Sequence, residues 1–416
     1  MRVPTRFAAL QEREFRLLFF GQVVSLVGDT MAPVALAFAV LDLTGSAGDL
    51  GYVFAAKTLP LVAFLLVGGV FADRLPRRAV MLGADLVRFC SQGAAALLLV
   101  TGHAQLWHLI VLQALHGTAT AFFNPAATGL TPMTVSGERL QQANGLRGLA
   151  QAASVIVGPA IAGGLVAGVG SGWAIGVDAA TFAVSACFLA QLRLPAHIHL
   201  PPQSFLRDLR EGWQEFSSRT WVWVVVVCAS LGNAASAGFV VLGPAISKES
   251  LGGPGAWALI LVFFGIGSFV GGLLALHLTP ERPLLVGTLA LLLAGSPSAL
   301  LALGMPALAV AAGALCAGAG LLLFNTLWET ALQEHVPRAA LSRVSAYDWF
   351  GSLAIQPLGL AIIGPASGLV GQDAVLWAAA AISVASTLAM LATPSVRQLE
   401  SRVRPEPASS ESLVAE

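Results

Sequence analysis

The sequence predicts an all-α membrane protein: twelve transmembrane helices in two six-helix pseudo-repeats around a central cavity. Three observations predict it. First, the 416-residue chain is 56% hydrophobic and only 11% charged. A soluble domain carries roughly 25% charged residues, so this chain lacks the polar surface to wrap a water-soluble body of its size. Second, its apolar residues fall into twelve blocks. Each is near the roughly 20 residues that a helix needs to cross a bilayer, and none shows the ten-residue alternation of an outer-membrane barrel. Third, short signatures in the first six blocks recur at matching places in the second six. Phe123-Asn124 ends block 4 and Phe324-Asn325 ends block 10; GPAIAG from Gly158 lies in block 5 and GPASG from Gly364 in block 11. Parallel repeats of six spans with a site between them are a transporter architecture.

Residues 1–193 form the first bundle, with spans near 16–41, 49–71, 79–101, 105–127, 142–168 and 172–193. The first block is too long for a signal peptide and offers no small-residue cleavage site before a polar mature chain. Residues 194–219 are the longest break in the pattern. Pro195, Pro201 and Pro202 open it, and FLRDLREGWQEF follows. Phe205, Leu209, Trp213 and Phe216 share one helical face; Arg207, Asp208, Arg210 and Glu211 share the other. That pattern predicts an amphipathic helix lying on the inner leaflet. Residues 220–393 form the second bundle, with spans near 220–247, 255–277, 282–303, 306–328, 342–369 and 374–393. The tail, 394–416, is expected to be disordered.

Arginines set the orientation, because Lys and Arg collect on the cytoplasmic side. One side carries Arg2, Arg6, Arg13, Arg16, Arg74, Arg77, Arg78, Arg139, Arg193, Arg207, Arg210, Arg219, Arg282, Arg338, Arg343, Arg397, Arg402 and Arg404; the other has Lys248. Both termini are therefore expected in the cytoplasm of a multi-pass cell-membrane protein. The balance of 22 basic and 22 acidic residues leaves no electrostatic footprint for nucleic acid. Cys90, Cys187, Cys228 and Cys316 all lie in apolar blocks without metal-ligand spacing, so they read as small buried hydrophobes.

The loop after span 2 concentrates charge: Gly69-x-x-x-Asp73-Arg74-x-Pro76-Arg77-Arg78. Together with twelve spans and a long central loop, it resembles the G-x-x-x-D-R-x-G-R-R motif of the major facilitator superfamily, departing at Pro76. MLGADLVRF, with Asp85 and Arg88, and LTGSAGDLG resemble the branch of macrolide-efflux and siderophore-export proteins. Span 5 resembles the antiporters' G-x8-G-x3-G-P-x2-G-G at Gly145, Ser154, Gly158, Pro159, Ala162 and Gly163, with two glycines replaced by other small residues. Small residues let helices approach closely. Where proton-coupled members carry R-x-x-Q-G in span 4, the aligned residues are Gln113, His116 and Gly117, and the arginine is missing.

The resemblance implies a major facilitator fold and alternating access. It places Asp73 beside the start of span 11, near Ser342. A helix N-terminus favours a carboxylate by up to about 2 kcal/mol. Gly69, Asp73, Arg74, Arg77 and Arg78 then form a conformational latch, in which Arg77 and Arg78 can bind Asp73 itself, nearby carbonyls such as those ending span 4, or lipid phosphate. The family fold lines its cavity with spans 1, 4, 7 and 10. That selects Gln22, Ser25, Asp29, Gln113, His116, Asn124, Asn233, Asn325, Trp328 and Glu329 as substrate or coupling candidates. An ionisable group inside a span is functional by default, and Asp29 is expected to exchange the coupling proton. Asp85 and Arg88 read as a structural pair, and Asp178 as a packing contact.

The implied function is secondary export of a bulky amphipathic or hydrophobic small molecule, coupled to protons, by a monomer in the lipid bilayer. A facilitator or importer of a small nutrient is the alternative transporter. A receptor or enzyme is the alternative class; the sequence offers no nucleophile–base pair, HExxH or phosphate-cradling loop to support it. No cofactor or metal is implied.

Overall fold

The computed structural model describes residues 5–193 and 205–402, with side chains described except at 5–7, 66–74, 205–209, 211, 338–339 and 342. Among the described residues, twelve helices are long and apolar enough to cross a membrane. Spans 1–6 are Arg13–Thr44, Ala47–Arg74, Arg77–Val100, Leu106–Leu130, Leu140–Val169 and Ser171–Ala190. The linker helix is Phe205–Ser217. Spans 7–10 are Thr220–Ile246, Pro254–His277, Pro283–Ala302 and Ala307–His335. Span 11 comes in two pieces, Arg338–Leu353 and Gln356–Val370, and span 12 is Gln372–Ala392.

Local sequence explains where these helices depart from the expected edges. Span 10 runs on to His335 because ETALQEH contains no Gly or Pro; Pro337 follows its end. Span 11 breaks ahead of Pro357, and span 9 tightens to a 3-10 turn at Leu292–Gly295 ahead of Pro297, since a proline removes one backbone donor and crowds the preceding turn. The junctions of spans 5–6 and 11–12 are alike. Gly170 (φ 96, ψ 162) and Gly371 (φ 91, ψ 153) adopt nearly the same glycine-only conformation, so the pseudo-repeat extends to a backbone detail.

Corresponding pairs of spans pack backbone to backbone in the two halves. Gly117 of span 4 meets the Lys57 carbonyl of span 2, and Gly267 of span 8 meets the Leu315 carbonyl of span 10. A Cβ at either glycine would overlap that oxygen. Between the halves, span 5 packs on span 8 and span 2 on span 11.

Among the described residues, the apolar cluster that joins the halves lies at one side. On the side away from the linker helix, a single apolar cluster runs through both. It takes Phe38 and Val40 of span 1 and Val166 of span 5, with Val241 of span 7, Trp257 of span 8 and Leu360 of span 11. On the linker side each half has its own cluster: Leu18, Met81, Phe123 and Leu189 in the first, and Trp221, Leu284, Phe324 and Val344 in the second.

Two expectations are corrected here. The tail was expected to be disordered from 394, yet 394–402 is folded against the bundle. A short helix, Pro394–Arg397, leads to Ser401, whose amide donates to the Glu281 carbonyl at 2.8 Å, and to Arg402, whose amide donates to Glu334 at 3.0 Å. The cause is Glu334, carried past the expected end of span 10 by the longer helix. The linker helix does not present its whole apolar face to lipid. Gly212 seats on Tyr347 and Arg343 of span 11, and Phe216 is buried there, while Trp213 stays exposed. Residues 194–204 and 403–416 lie outside the described residues.

Candidate functional site: a buried charged cluster in the first half

Spans 1, 3, 4 and 6 each contribute one to three polar groups at mid-depth, and the four helices bring them together. Asp29 stands midway along span 1. Its carboxylate lies 3.4 Å from Arg88 Nη1 of span 3 and 3.9 Å from His116 Nε2 of span 4. Arg88 also donates to Asp85, one turn before it. The guanidinium is only 1% exposed and lies between two rings, 3.9 Å from the Phe123 centroid and 4.4 Å from that of Phe182. Cation–π contact and two carboxylates together offset its desolvation. A second chain runs alongside. Gln113 donates to Gln92 at 2.8 Å, and Gln92 donates to Asp178 at 2.6 Å. Span 1 closes over this chain because Gly28 leaves room for Thr181 and Asp178.

Burial differs sharply among these groups. Asp85, Gln113, His116 and Asp178 are 0% exposed, whereas the Asp29 side chain is 30% exposed. Gln22 and Ser25 share Asp29's face and are buried, with Ser25 bonded to the Gln22 carbonyl. Thus Asp29 is the partly exposed carboxylate of the cluster.

The second half buries something else. Trp328 stacks on Phe324 and meets Trp221 edge-on, with centroids 5.4 Å apart. Its Nε1 donates to Asp348 of span 11 at 3.0 Å. Asn233 of span 7 donates to the Ser352 carbonyl at 2.9 Å, one turn along span 11 from Asp348. Glu329 is exposed and within electrostatic reach of Asp348. Asn124 and Asn325 are exposed at related places in spans 4 and 10.

The span 5 glycine series serves packing. Thr30 of span 1 donates to the Ser154 carbonyl at 2.8 Å and lies against Gly158; Gly163 admits Ala258 of span 8. Pro159 and Ala162 are buried in the same stretch, while Gly145 faces open space. Arg77 donates to the Gly129 carbonyl near the end of span 4, and Arg78 to the Leu189 carbonyl of span 6 at 2.9 Å. The side chains of Gly69, Asp73, Arg74 and Ser342, and with them the expected latch, lie outside those described. A cavity of about 390 Å³ opens at the far-side rim of the first half, beside Asp42, Val169 and Trp173. It holds none of the cluster and consists of gaps between helix ends.

A family model described as Major Facilitator Superfamily matches residues 18–355. The chain belongs to the Major Facilitator Superfamily. It is a multi-pass membrane protein of that transporter family. Over 412 residues it is 27% identical to the multidrug efflux pump Tap of Mycobacterium tuberculosis, a match covering 92% of this chain and 94% of Tap. It is 26% identical to macrolide efflux protein A of Streptococcus pyogenes over 265 residues, spanning 63% of this chain and 65% of that relative. Among solved structures, a POT peptide transporter superposes with TM-score 0.76 at 13% identity, covering 93% of this chain and 95% of that one. A bacterial homologue of the iron transporter ferroportin in an inward-facing state superposes with TM-score 0.73 at 15% identity, covering 91% and 98%. At such identities the likeness is one of fold.

Within this facilitator frame, three sequence readings change. Asp85 and Arg88 are not a pair apart from the cavity, since Arg88 also reaches Asp29. Trp328 is 5% exposed and packs inside the second bundle rather than on an open wall. Gln113 and His116 likewise lie inside the first bundle. Asp348 was missed, although an acid within an apolar block is its own signal.

Proposed function

We propose that this facilitator exports bulky amphipathic or hydrophobic small molecules, of the drug, antibiotic or siderophore type, in exchange for protons. Alternating access carries the exchange, and the linker side faces the cytoplasm. The observation that carries the reading is Asp29, a carboxylate at mid-depth that touches solvent on one side and a sealed charged cluster on the other. A coupling carboxylate needs both: a path for protons, and neighbours whose pairing depends on its charge. The kinship with Tap and macrolide efflux protein A supports export as the direction. Asp348 and the exposed Glu329 suit a cationic amphipathic solute at the second half.

The direct test is ethidium accumulation in cells with and without the protein, before and after a proton uncoupler. The reading expects lower accumulation with the protein and loss of that difference on uncoupling. Higher accumulation with the protein would establish import instead. For sidedness, a membrane-impermeant thiol reagent applied to intact cells should label Gly252→Cys and spare Ser409→Cys; the reverse pattern inverts the orientation.

A further inference from the structure

The cluster in the first half gathers more negative charge than its cations match. Three carboxylates, Asp29, Asp85 and Asp178, face two cations, Arg88 and Lys57, with His116 among them. Lys57 of span 2 is within electrostatic reach of both His116 and Asp178. With His116 neutral, the group carries one excess negative charge. One added proton makes it neutral, the condition a low-dielectric interior favours.

The geometry indicates where that proton would rest. His116 is 0% exposed, yet neither of its ring nitrogens has a hydrogen-bond partner. A buried polar atom without a partner calls for an explanation. Its Nε2 stands 3.9 Å from Asp29 Oδ1, a gap that one bridging water or a small side-chain rotation closes. Phe182 holds the ring edge-on at 5.5 Å between centroids. The charged groups around it are Asp29 from span 1, Lys57 from span 2 and Arg88 from span 3; Asp85 stands behind Arg88, and Asp178 of span 6 behind Gln92 and Gln113.

We propose that His116 is the buried proton carrier of this transporter, with Asp29 as its port and Arg88 as the positioning residue that holds Asp29 toward it. The proposal rests on the reading that transport is proton-coupled. In the loading step a hydronium in the cavity gives its proton to the Asp29 carboxylate, and an O–H bond forms. The proton then passes to the lone pair on His116 Nε2; that O–H breaks and an N–H forms. An imidazolium–carboxylate pair is left beside Arg88. The reverse transfer releases the proton once the cavity faces the other side. Nothing is oxidised or reduced, and the cluster gains one proton per loading. Arg88 is suited to its part because the two rings and Asp85 fix its guanidinium while leaving one amino group for Asp29.

The test uses the full chain in proteoliposomes, with ethidium as the transported probe and a trapped dye reporting internal pH. Wild-type protein is expected to drive ethidium against its gradient when a pH gradient is imposed. If it does not, proton coupling itself is lost, and the His116 assignment with it. Given that drive, His116→Gln should fall to the level of protein-free vesicles in gradient-driven transport while keeping downhill ethidium exchange. Gradient-driven transport by His116→Gln at the wild-type pH profile overturns the assignment and leaves coupling through Asp29 standing. Asp85→Asn supplies an independent reading. It leaves Arg88 to Asp29 alone, and the midpoint of the pH profile of gradient-driven transport should move from that of wild type. An unmoved midpoint overturns the positioning role of Arg88.

Discussion

At matching depth, the two bundles enclose different chemistry on the same scaffold. The first packs Asp29, Asp85, Arg88, His116 and Asp178 between spans 1, 3, 4 and 6. The second packs Trp221, Phe324 and Trp328 between spans 7 and 10, with Asp348 of span 11 accepting from the indole. The backbone devices are common to both: Gly170 matches Gly371, and glycine lets span 4 touch span 2 as it lets span 10 touch span 8. What two helices need in order to touch is kept in both bundles, and what the interior does differs. Charge that can change by one proton suits the first half to coupling. Asp348, with the exposed Glu329 beside a packed aromatic core, suits the second to drawing a cationic solute.

The largest expected effect that breaks this contrast is on stability. Arg88→Gln leaves Asp29 and Asp85 without their shared cation, and breaking a buried pair costs about 3–5 kcal/mol. The melting temperature of the detergent-solubilised protein should drop steeply, and Asp85→Asn added to it should restore part of the loss. No drop would mean that the cluster is not paired as described. Next come the shared contacts. Gly117→Ala and Gly267→Ala each push a Cβ against a carbonyl oxygen, and overpacking of this kind costs about 1–3 kcal/mol. Similar losses in the two variants, adding in the double variant because the sites are far apart, would sharpen the view of one scaffold used twice.

How far the sequence reached follows the same division. Helices, their number and the halves were legible because block length and composition are coarse properties that survive any rotation of one helix against another. Asp29 was legible too, as an acid in the middle of an apolar run. Its link to Arg88 was not, because the two lie on different helices and their meeting depends on how spans 1 and 3 turn toward each other. His116 could be named but not placed, for the same reason. The break in span 11 was readable in Pro357 and was passed over. The folded tail was unreadable because it rests on Glu334, which the expected end of span 10 left in a loop.

A smaller effect separates the halves by function. Asp348→Asn keeps an acceptor for Trp328 and removes the charge, so stability should change by less than about 1.5 kcal/mol. Ethidium export should weaken several-fold, while export of a neutral apolar dye holds; equal loss for both dyes would remove Asp348 from cation selection. The smallest concerns the contact between halves on the far side, where Lys248 Nζ meets Asp42 at 2.6 Å and the Leu41 carbonyl at 2.8 Å. With side chains 40% and 57% exposed, such a pair contributes about 0.2–1 kcal/mol. Lys248→Ala should raise thiol labelling of a far-side cysteine at Gly48 by no more than about fivefold.

The central claim is that the first half's cluster couples transport to protons and the second half's does not. Asp29→Asn and Asp348→Asn, compared in the same vesicles, test it most directly through gradient-driven and downhill ethidium transport. Asp29→Asn is expected to lose gradient-driven transport and keep downhill exchange, while Asp348→Asn weakens both in proportion and still responds to the gradient. Gradient-driven, uncoupler-sensitive transport by Asp29→Asn at the wild-type level would contradict it.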